Sequence, residues 1–255
     1  MLRSAPQSVP LRIRGTQVRF DVLTMHEVTQ QIFESAPATW RTVITPNLHH
    51  IHLLRRDASL LPLYQSADLL LPDGWPVAWM LSRVAGSDVE RIAGSDLLEQ
   101  VLATDGGGRA LVLVGGEDVT ALATVADRAR QVNWTVFVEP APRSEVESTD
   151  SRQALASRVA ANGQGGVIVL GLGAPKQERF AHEVRQLAGS GHILCLGMAI
   201  NFSAGKYKRS PEWMRHAKLE WVHRIISEPR RLLPRYARDA GALLPTMAEN
   251  GKVRA

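Results

Sequence analysis

The sequence predicts an α/β protein with a Rossmann-like core, in which a mainly parallel sheet is flanked by helices. The first reason is that short apolar runs alternate with segments of helical periodicity along most of the 255 residues. The second is that the runs GVIVLG and HILCLG are apolar almost throughout, which is typical of central parallel strands covered on both faces. Such sheets bind ligands at the carboxyl ends of their strands.

Each predicted strand is a short run rich in β-branched or other apolar residues that Gly, Pro or Asp interrupts or ends. In chain order the strands are TQVRFDVL (or a hairpin), RTVITPN, ADLLLPDG, ALVLVGG, WTVFVEPAP, GVIVLGLGAP and HILCLGMAI.

The predicted helices lie between these strands and have apolar residues at helical spacing. They are MHEVTQQIFES, LHHIHLLRRD, WPVAWMLSRV, SDLLEQVLATD, DVTALATVADRARQ and SRQALASRVAAN, and another begins near Lys176 or Gln177. Ser95 or Asp96 is expected to cap the helix in SDLLEQVLATD.

Basic residues are concentrated near the C-terminal end. Residues 206–238 contain ten Lys and Arg and three Glu, a net charge of +7, whereas the whole chain carries +5. The remainder is therefore slightly acidic, and the basic segment is expected to face phosphates or anionic lipid.

The same segment has an apolar stripe at helical spacing that includes Met214, Ala217, Trp221 and Ile225. An apolar stripe among basic residues and aromatic rings is typical of a helix that lies in a membrane interface. The alternative is that the stripe packs on the sheet like that of any surface helix. The sequence thus predicts a core at residues 1–205 and a basic, amphipathic, membrane-associating appendage at 206–255.

Several classes of protein are disfavoured. No run of eighteen apolar residues is present, so no membrane-spanning helix is expected. The first fifteen residues lack the apolar stretch of a secretory signal. The single cysteine, Cys195, leaves no internal disulfide and no cysteine-based metal cage. These features favour a cytosolic protein.

The cofactor motifs are incomplete. GLGAPK begins as a dinucleotide-binding fingerprint does, but Lys176 stands where glycine or alanine is needed. A P-loop ending at Gly205-Lys206 would need a glycine at the position of Ile200. We therefore predict neither an NAD enzyme nor a P-loop NTPase, and no cofactor.

A metal site is not predicted either. His49, His50 and His52 are close in sequence, but no nearby set of carboxylates and cysteines completes a site. No Asp-x-Asp pair ends a strand to hold Mg²⁺ against a diphosphate. The charge of a phosphorylated ligand would have to be met by arginines, lysines and backbone N–H groups.

Two stretches carry candidate chemistry. In SADLLLPDGW, Asp73 follows an apolar strand, where burial would raise the pKa of its carboxyl and make it a better base. The alternative is an Asp-Gly turn without chemistry. In GLGAPKQERF, Gly173 lets a ligand approach the backbone where a helix begins. Lys176 adds a cation and Gln177 an amide, although the glycines could serve the turn alone.

Seven motifs in order give the chain a resemblance to the WecG/TagA/CpsF family of bacterial glycosyltransferases over about residues 20 to 240. They are TPN (45–47), LLLPDG (69–74), RIAGSDL (91–97), LVGG (113–116), GLGAPKQE (171–178), GKYKRSPEW (205–213) and LEWVHRIISEPRR (219–231).

The resemblance implies an inverting, metal-independent transfer of a hexose or N-acetylhexosamine from a UDP-sugar. The implied acceptor is a polyprenyl-diphosphate-linked saccharide at the cytoplasmic face of the bacterial cell membrane. The products would feed surface polysaccharides such as exopolysaccharide. The implied protein is a peripheral membrane enzyme, and its oligomeric state, the sugar and the acceptor saccharide stay open.

The resemblance also implies roles for residues. Asp73 matches the aspartate proposed as catalytic base. Candidate substrate-binding residues, from the family or from the strand ends, are Thr45, Asn47, Arg91, Gly115, Gly173, Lys176, Gln177, Arg224 and Arg231. Candidate membrane residues are Trp213, Trp221, Arg230 and Arg235. Asn201 departs from the family, since relatives often carry an aspartate there, and so does RSP in place of RAP.

Two other classes of function remain open. A nucleic-acid-binding protein would fit the basic segment, but the chain has no helix-turn-helix signature and no RNP-type aromatic motif, so we predict no nucleic-acid partner. A membrane-associated scaffold without catalysis would fit the same segment.

Overall fold

The computed structural model describes residues 8–34, 37–115, 119–207, 214, 225–226 and 229–251. Its strands in chain order are β1 (Ser8–Ile13), β2 (Thr16–Asp21), β3 (Trp40–Ile44), β4 (Leu69–Leu70), β5 (Ala110–Gly115), β6 (Thr135–Glu139), β7 (Gly166–Gly171) and β8 (Gly191–Cys195). β1 and β2 form an antiparallel hairpin. The other six form one parallel sheet in the order β4-β3-β8-β7-β5-β6.

Helices connect the strands of the sheet. They are α1 (Met25–Glu34), α2 (Leu48–Arg56), α3 (Leu61–Gln65), α4 (Trp75–Ala85), α5 (Gly94–Ala103), α6 (Val119–Gln131), α7 (Arg143–Glu147), α8 (Thr149–Asn162), α9 (Lys176–Arg185), α10 (Ala199–Ser203), α11 (Pro229–Ala240) and α12 (Leu243–Asn250). A 3-10 turn at Ala58–Leu60 precedes α3.

The core has two layers of side chains, one on each face of the sheet. On β7, Ile168 and Leu170 pack into one buried cluster with α8 and α9. Val167 and Val169 pack into the other, with α5 and α6. Because successive side chains of a strand point to opposite faces and both faces are covered, both sets must be apolar. The predicted Rossmann-like α/β core is thus confirmed.

The structure corrects the sequence-based elements in a few places. The strand in HILCLGMAI ends at Cys195, and Ala199 begins the short helix α10. Helix α5 begins at Gly94 with Ala93 in the cap position, so the predicted cap at Ser95 or Asp96 is wrong. A β-carbon on Gly94 would lie 3.2 Å from the carbonyl oxygen of Leu196. Helix α5 therefore begins without a side-chain cap, at a glycine that packs closely on the residue after β8.

The helices at the C-terminal end pack on the rest of the chain. On α11, Leu232 is buried, and Asp239 Oδ1 lies 2.9 Å from Nδ1 of His49 on α2. On α12, the Asn250 side chain accepts a hydrogen bond from the Arg12 N–H at 2.8 Å and donates one to the Arg12 carbonyl at 2.9 Å. The amide of Asn250 therefore pairs with the backbone of β1 as a neighbouring strand would. The division of the chain at residue 205 stays a prediction.

His192 on the central strand β8 makes stability depend on pH. Its side chain is buried, and burial, followed by the charges of Arg41 and Arg109, lowers its pKa from 6.5 to about 4. Between these values the unfolded chain binds a proton that the folded protein does not, so stability falls as the pH falls.

We expect His192 to reduce the free energy of unfolding by about 2 kcal/mol when the pH is lowered from about 7.5 to about 5. Urea unfolding at the two pH values measures the difference. His192→Gln should lose this part of the pH dependence, whereas His26→Gln, at an exposed histidine of α1, should keep it. An unchanged pH dependence in His192→Gln would contradict the assignment.

Candidate active site

The first part of the site lies where β3 ends. Thr45 is buried, and its hydroxyl donates to the carbonyl of Cys195 at 3.4 Å, which ties the end of β3 to the end of β8. Asn47 is the N-cap of α2, and its Oδ1 accepts from the His49 N–H at 3.1 Å. Nδ1 of His50 lies 2.9 Å from the same Oδ1 and 3.2 Å from the Asn47 backbone nitrogen. The orientation of the Asn47 amide is therefore determined by α2.

Asp73 lies beside Asn47, in the loop that follows β4. Its N–H donates to the Pro46 carbonyl at 3.0 Å, so the loop after β4 continues to follow the loop after β3. Nδ2 of Asn47 donates to Asp73 Oδ2 at 3.4 Å. Gly74, with φ of 77°, makes the turn into α4, as the sequence suggested. The carboxylate is half-buried, with a hydrogen-bond donor on one side and access to solvent.

The loop after β7 provides the opposite part of the site. Gly173 has φ of 75°, and a β-carbon there would meet no atom within 4 Å, so the backbone borders open space. Gln177, in the first turn of α9, is 1% exposed. Its Oε1 accepts from the Gly197 N–H at 3.0 Å, which ties the end of β7 to the end of β8. Lys176 is exposed and pairs with Glu147 at 3.1 Å.

The remaining candidate residues of the core lie around the edge of the sheet where its parallel strands end. Gly115, with φ of 82°, ends β5, and a β-carbon there would lie 2.8 Å from Cδ2 of Leu172 and 3.2 Å from the Gly171 carbonyl carbon. Arg91 is partly exposed in the loop before α5 and pairs with Asp96 at 3.3 Å. The structure thus brings the ends of β4, β3, β8, β7 and β5 into one row, in that order.

The C-terminal candidates are only partly described. Arg230 is exposed on α11. Arg235 lies 3.6 Å from Asp239, four residues further along the same helix. Trp213, Trp221 and Arg224, and the side chain of Arg231, lie outside the described residues.

Sequence reasoning missed His50 and Glu178 as parts of the site. The side chain of Glu178 is fully buried, 3.5 Å from Nε2 of His50. Its Oε1 accepts from Nε2 of Gln177 at 2.9 Å. The only signal in the sequence for a role of Glu178 is its place directly after Gln177, in a helix that also carries several other charged residues. The sequence does not distinguish that glutamate from a solvated one.

No group of three or more His, Cys, Asp or Glu residues that could hold a metal ion occurs within the part of the chain that the structure describes. None of the helices in that part is long and apolar enough to cross a membrane. Of the three neighbouring histidines, His49 contacts Asp239, His50 contacts Asn47, and the ring of His52 stacks on that of His49.

The arrangement can accept a proton and orient polar groups. Asp73 provides a half-buried carboxylate, and Asn47 and Gln177 provide amides whose orientations are set by hydrogen bonds. The first turn of α9 lies beside the open backbone at Gly173, where N–H groups of a helix attract an anion.

Comparison with protein families gives one match that covers nearly the whole chain. The model of the glycosyl transferase WecG/TagA/CpsF family matches residues 13–254. The matched range includes every element from β2 to α12, and hence both loops that form the site.

Substitutions of Asn47 should separate its two roles. Asn47→Ala is expected to lower the free energy of unfolding by about 1 kcal/mol, because the cap of α2 is lost. Asn47→Ser should stay within about 0.5 kcal/mol of the wild type, since serine is an equally good cap. Urea unfolding measures both changes.

Both variants lose the amide that donates to Asp73, so we expect the same large drop in glycosyl transfer from each. A serine variant as active as the wild type would mean that Asn47 matters only as a helix cap.

Proposed function

This chain belongs to the WecG/TagA/CpsF family of glycosyltransferases, and we propose that it moves a hexose or N-acetylhexosamine from a UDP-sugar to a polyprenyl-diphosphate-linked saccharide. The transfer would invert the anomeric centre, need no metal ion and serve the synthesis of a bacterial surface polysaccharide. The observation that carries the proposal is the half-buried carboxylate of Asp73, held by Asn47 at the carboxyl edge of a parallel sheet.

Asp73 is the proposed general base. Inverting transfer requires a group that removes the proton of the acceptor hydroxyl while that oxygen attacks the anomeric carbon. A carboxylate does this when it lies within hydrogen-bond distance of the hydroxyl. The side chain of Asp73 lies beside Asn47 and is partly exposed to solvent, so an acceptor hydroxyl can approach it.

The departing UDP needs positive charge and hydrogen-bond donors. The proposed donors are the backbone around Gly173 and the first turn of α9, supported by Arg91 and by arginines of the C-terminal segment. Lys176 forms an ion pair with Glu147, and Arg91 forms one with Asp96. Both ion pairs are partly exposed to solvent. Pairs of this kind contribute little to stability, so a diphosphate can replace the carboxylate at small cost.

The experiment that tests the proposal is a UDP-release assay with a panel of UDP-sugars and a lipid-diphosphate-linked saccharide. The wild type is expected to release UDP from one donor in the presence of acceptor. Asp73→Asn should lower kcat by about 10²- to 10⁴-fold, because it removes the base. The control is Asp127→Asn on α6, where the side chain is 70% exposed and pairs with Arg130 on the same helix.

Three outcomes distinguish the alternatives. An Asp73→Asn enzyme with wild-type kcat would exclude Asp73 as the base. Absence of turnover by the wild type with every donor would favour a non-catalytic membrane scaffold. Binding of DNA or RNA that falls steeply with salt, in the absence of turnover, would favour a nucleic-acid-binding protein.

We further propose that the protein acts at the cytoplasmic surface of the bacterial membrane through residues 206–255. Among the described residues of this segment, three large apolar side chains are exposed, Ile226 at 72%, Leu233 at 56% and Leu244 at 74%. Leu233 lies three residues from the exposed Arg230 on α11, so the two share a helix face. Exposed apolar residues beside arginine suit the interface of an anionic membrane.

Because α11 and α12 also pack on the core, point substitutions test this better than truncation. Arg230→Glu combined with Leu233→Ser should weaken sedimentation with phosphatidylglycerol-containing vesicles at least about tenfold. Arg130→Glu on α6, an arginine that is 52% exposed, is the control and should bind as the wild type does. Equal binding by the double variant would remove α11 from the membrane-contacting surface.

A further inference from the structure

Helix α4 begins two residues after Asp73 and carries an aromatic stripe on its outer side. Trp75, Trp79 and Arg83 are spaced four residues apart, so they follow one another along one side of the helix. The opposite side of α4 is buried in the core. The stripe therefore starts beside the proposed base and extends along α4 for about 12 Å.

The two indoles of the stripe are accessible to a ligand. Their ring centroids lie 6.4 Å apart, with 57° between the ring planes. Trp79 is 36% exposed and Trp75 is partly exposed, although tryptophan is highly buried on average. An indole offers an apolar face on which a sugar ring can stack and an N–H that can donate to a sugar hydroxyl.

Arg83 adds a positive charge at the far end of the stripe. Its guanidinium carbon lies 5.4 Å from the centroid of the Trp79 ring, which is a cation–π contact. Arg83 is exposed and forms no ion pair with a carboxylate within the part of the chain that the structure describes. No carboxylate of that part therefore competes for its N–H donors, which match the geometry of phosphate oxygens.

The order of the strands decides which substrate can reach the stripe. The proposed site of the departing UDP follows β7, whereas α4 follows β4, three positions and hence about 14 Å away in the sheet. In an inverting transfer, the attacking oxygen and the leaving group lie on opposite faces of the sugar ring. With UDP beside Gly173 and the base at Asp73, the acceptor extends away from β7, towards the edge of the sheet where α4 begins.

We propose that Trp75, Trp79 and Arg83 form the acceptor subsite, in which the indoles stack on the acceptor saccharide and Arg83 binds the diphosphate that carries it. The order of the stripe matches the order of groups in such an acceptor, in which the attacking hydroxyl, the sugar and the diphosphate follow one another. The inference rests on the proposed function, because it takes the kind of acceptor and the base from it.

Tryptophan beside arginine also suits a membrane interface. The acceptor is favoured because the stripe adjoins Asp73. In addition, Trp79 is less exposed than the apolar residues of the segment proposed to contact the membrane, Leu233 at 56% and Leu244 at 74%. The indoles thus line a surface, whereas the leucines project from one.

Two soluble compounds test the parts of the subsite in the absence of vesicles. The first is the acceptor that supports UDP release by the wild type, prepared with a short alkyl chain in place of its lipid. The second is the same alkyl chain with a diphosphate and no sugar, used as an inhibitor that competes with the acceptor. The second compound can meet Arg83 but leaves the indoles without a sugar.

Trp75→Leu and Trp79→Leu should each raise the KM for the soluble acceptor about three- to tenfold, because an apolar side chain remains but the ring is lost. Trp79→Phe, which keeps a ring, should stay within about twofold of the wild type. Arg83→Gln should raise this KM about 10- to 100-fold and weaken inhibition by the alkyl diphosphate to the same extent. The leucine variants should keep wild-type inhibition, and every variant should keep the KM for the UDP-sugar.

The controls have similar exposure but lie elsewhere. Val138→Ala changes an apolar residue of β6 that is also 36% exposed, and Arg130→Gln changes an arginine of α6 that is 52% exposed. Both should keep the wild-type KM for each substrate. Thermal unfolding of every variant is measured alongside the kinetics.

A wild-type KM for the acceptor in Trp79→Leu and in Arg83→Gln would overturn the proposal. So would a loss that occurs only when vesicles are present, which would assign the stripe to the membrane, or an equal rise in the KM for the UDP-sugar. An alkyl diphosphate that does not inhibit the wild type would remove Arg83 from the subsite. If Asp73→Asn keeps wild-type turnover, the proposed base fails, and the acceptor KM of the α4 variants still decides this inference; if the wild type has no turnover, both fail.

Discussion

The pairing of β3 with β8 is the constraint on which the rest of the site depends. These strands are about 150 residues apart in sequence but hydrogen-bonded side by side, with Ile44 opposite Cys195. The pairing joins the part of the chain that provides Thr45, Asn47 and Asp73 to the part that provides Gln177. It also leaves the N-termini of α2, α4 and α9 at the same edge of the sheet, since each begins just after a parallel strand.

Much of this edge could be predicted from the sequence, because the end of a strand is a local signal. Asp73 follows three leucines and precedes a glycine, and the glycines of GLGAPKQE end an apolar run, so both were predicted at the carboxyl edge. What the sequence did not encode locally is which side chains meet behind that edge. His49, His50 and His52 look equivalent in the sequence, yet one contacts α11 and another caps α2. The capping contact of His50 is local to the first turn of α2. The contacts with Asp239 and Glu178 arise only when α11 and α9 pack near α2.

The charged residues of the edge differ in how firmly they are held. Arg91 and Lys176 pair with Asp96 and Glu147 while partly exposed to solvent, where such pairs have net energies of about 0–1 kcal/mol. The amides of Asn47 and Gln177 are each oriented by at least two hydrogen bonds at partly or fully buried positions. The cations at the rim can therefore move to meet a ligand, whereas the two amides keep their orientations.

The two carboxylates of the site have opposite environments, and this decides what each can do. Asp73 is half-buried, accepts a hydrogen bond from Asn47 and is open to solvent, as the proposed base needs to be. Glu178 has no exposed surface, and its neighbours are an amide and an imidazole. A buried carboxylate without polar neighbours would cost several kcal/mol, so the contacts with Gln177 and His50 are what make this position tolerable. Because no surface of Glu178 is exposed, a substrate cannot reach it, and its role is to hold the Gln177 amide in the first turn of α9, whereas Asp73 is open to a ligand.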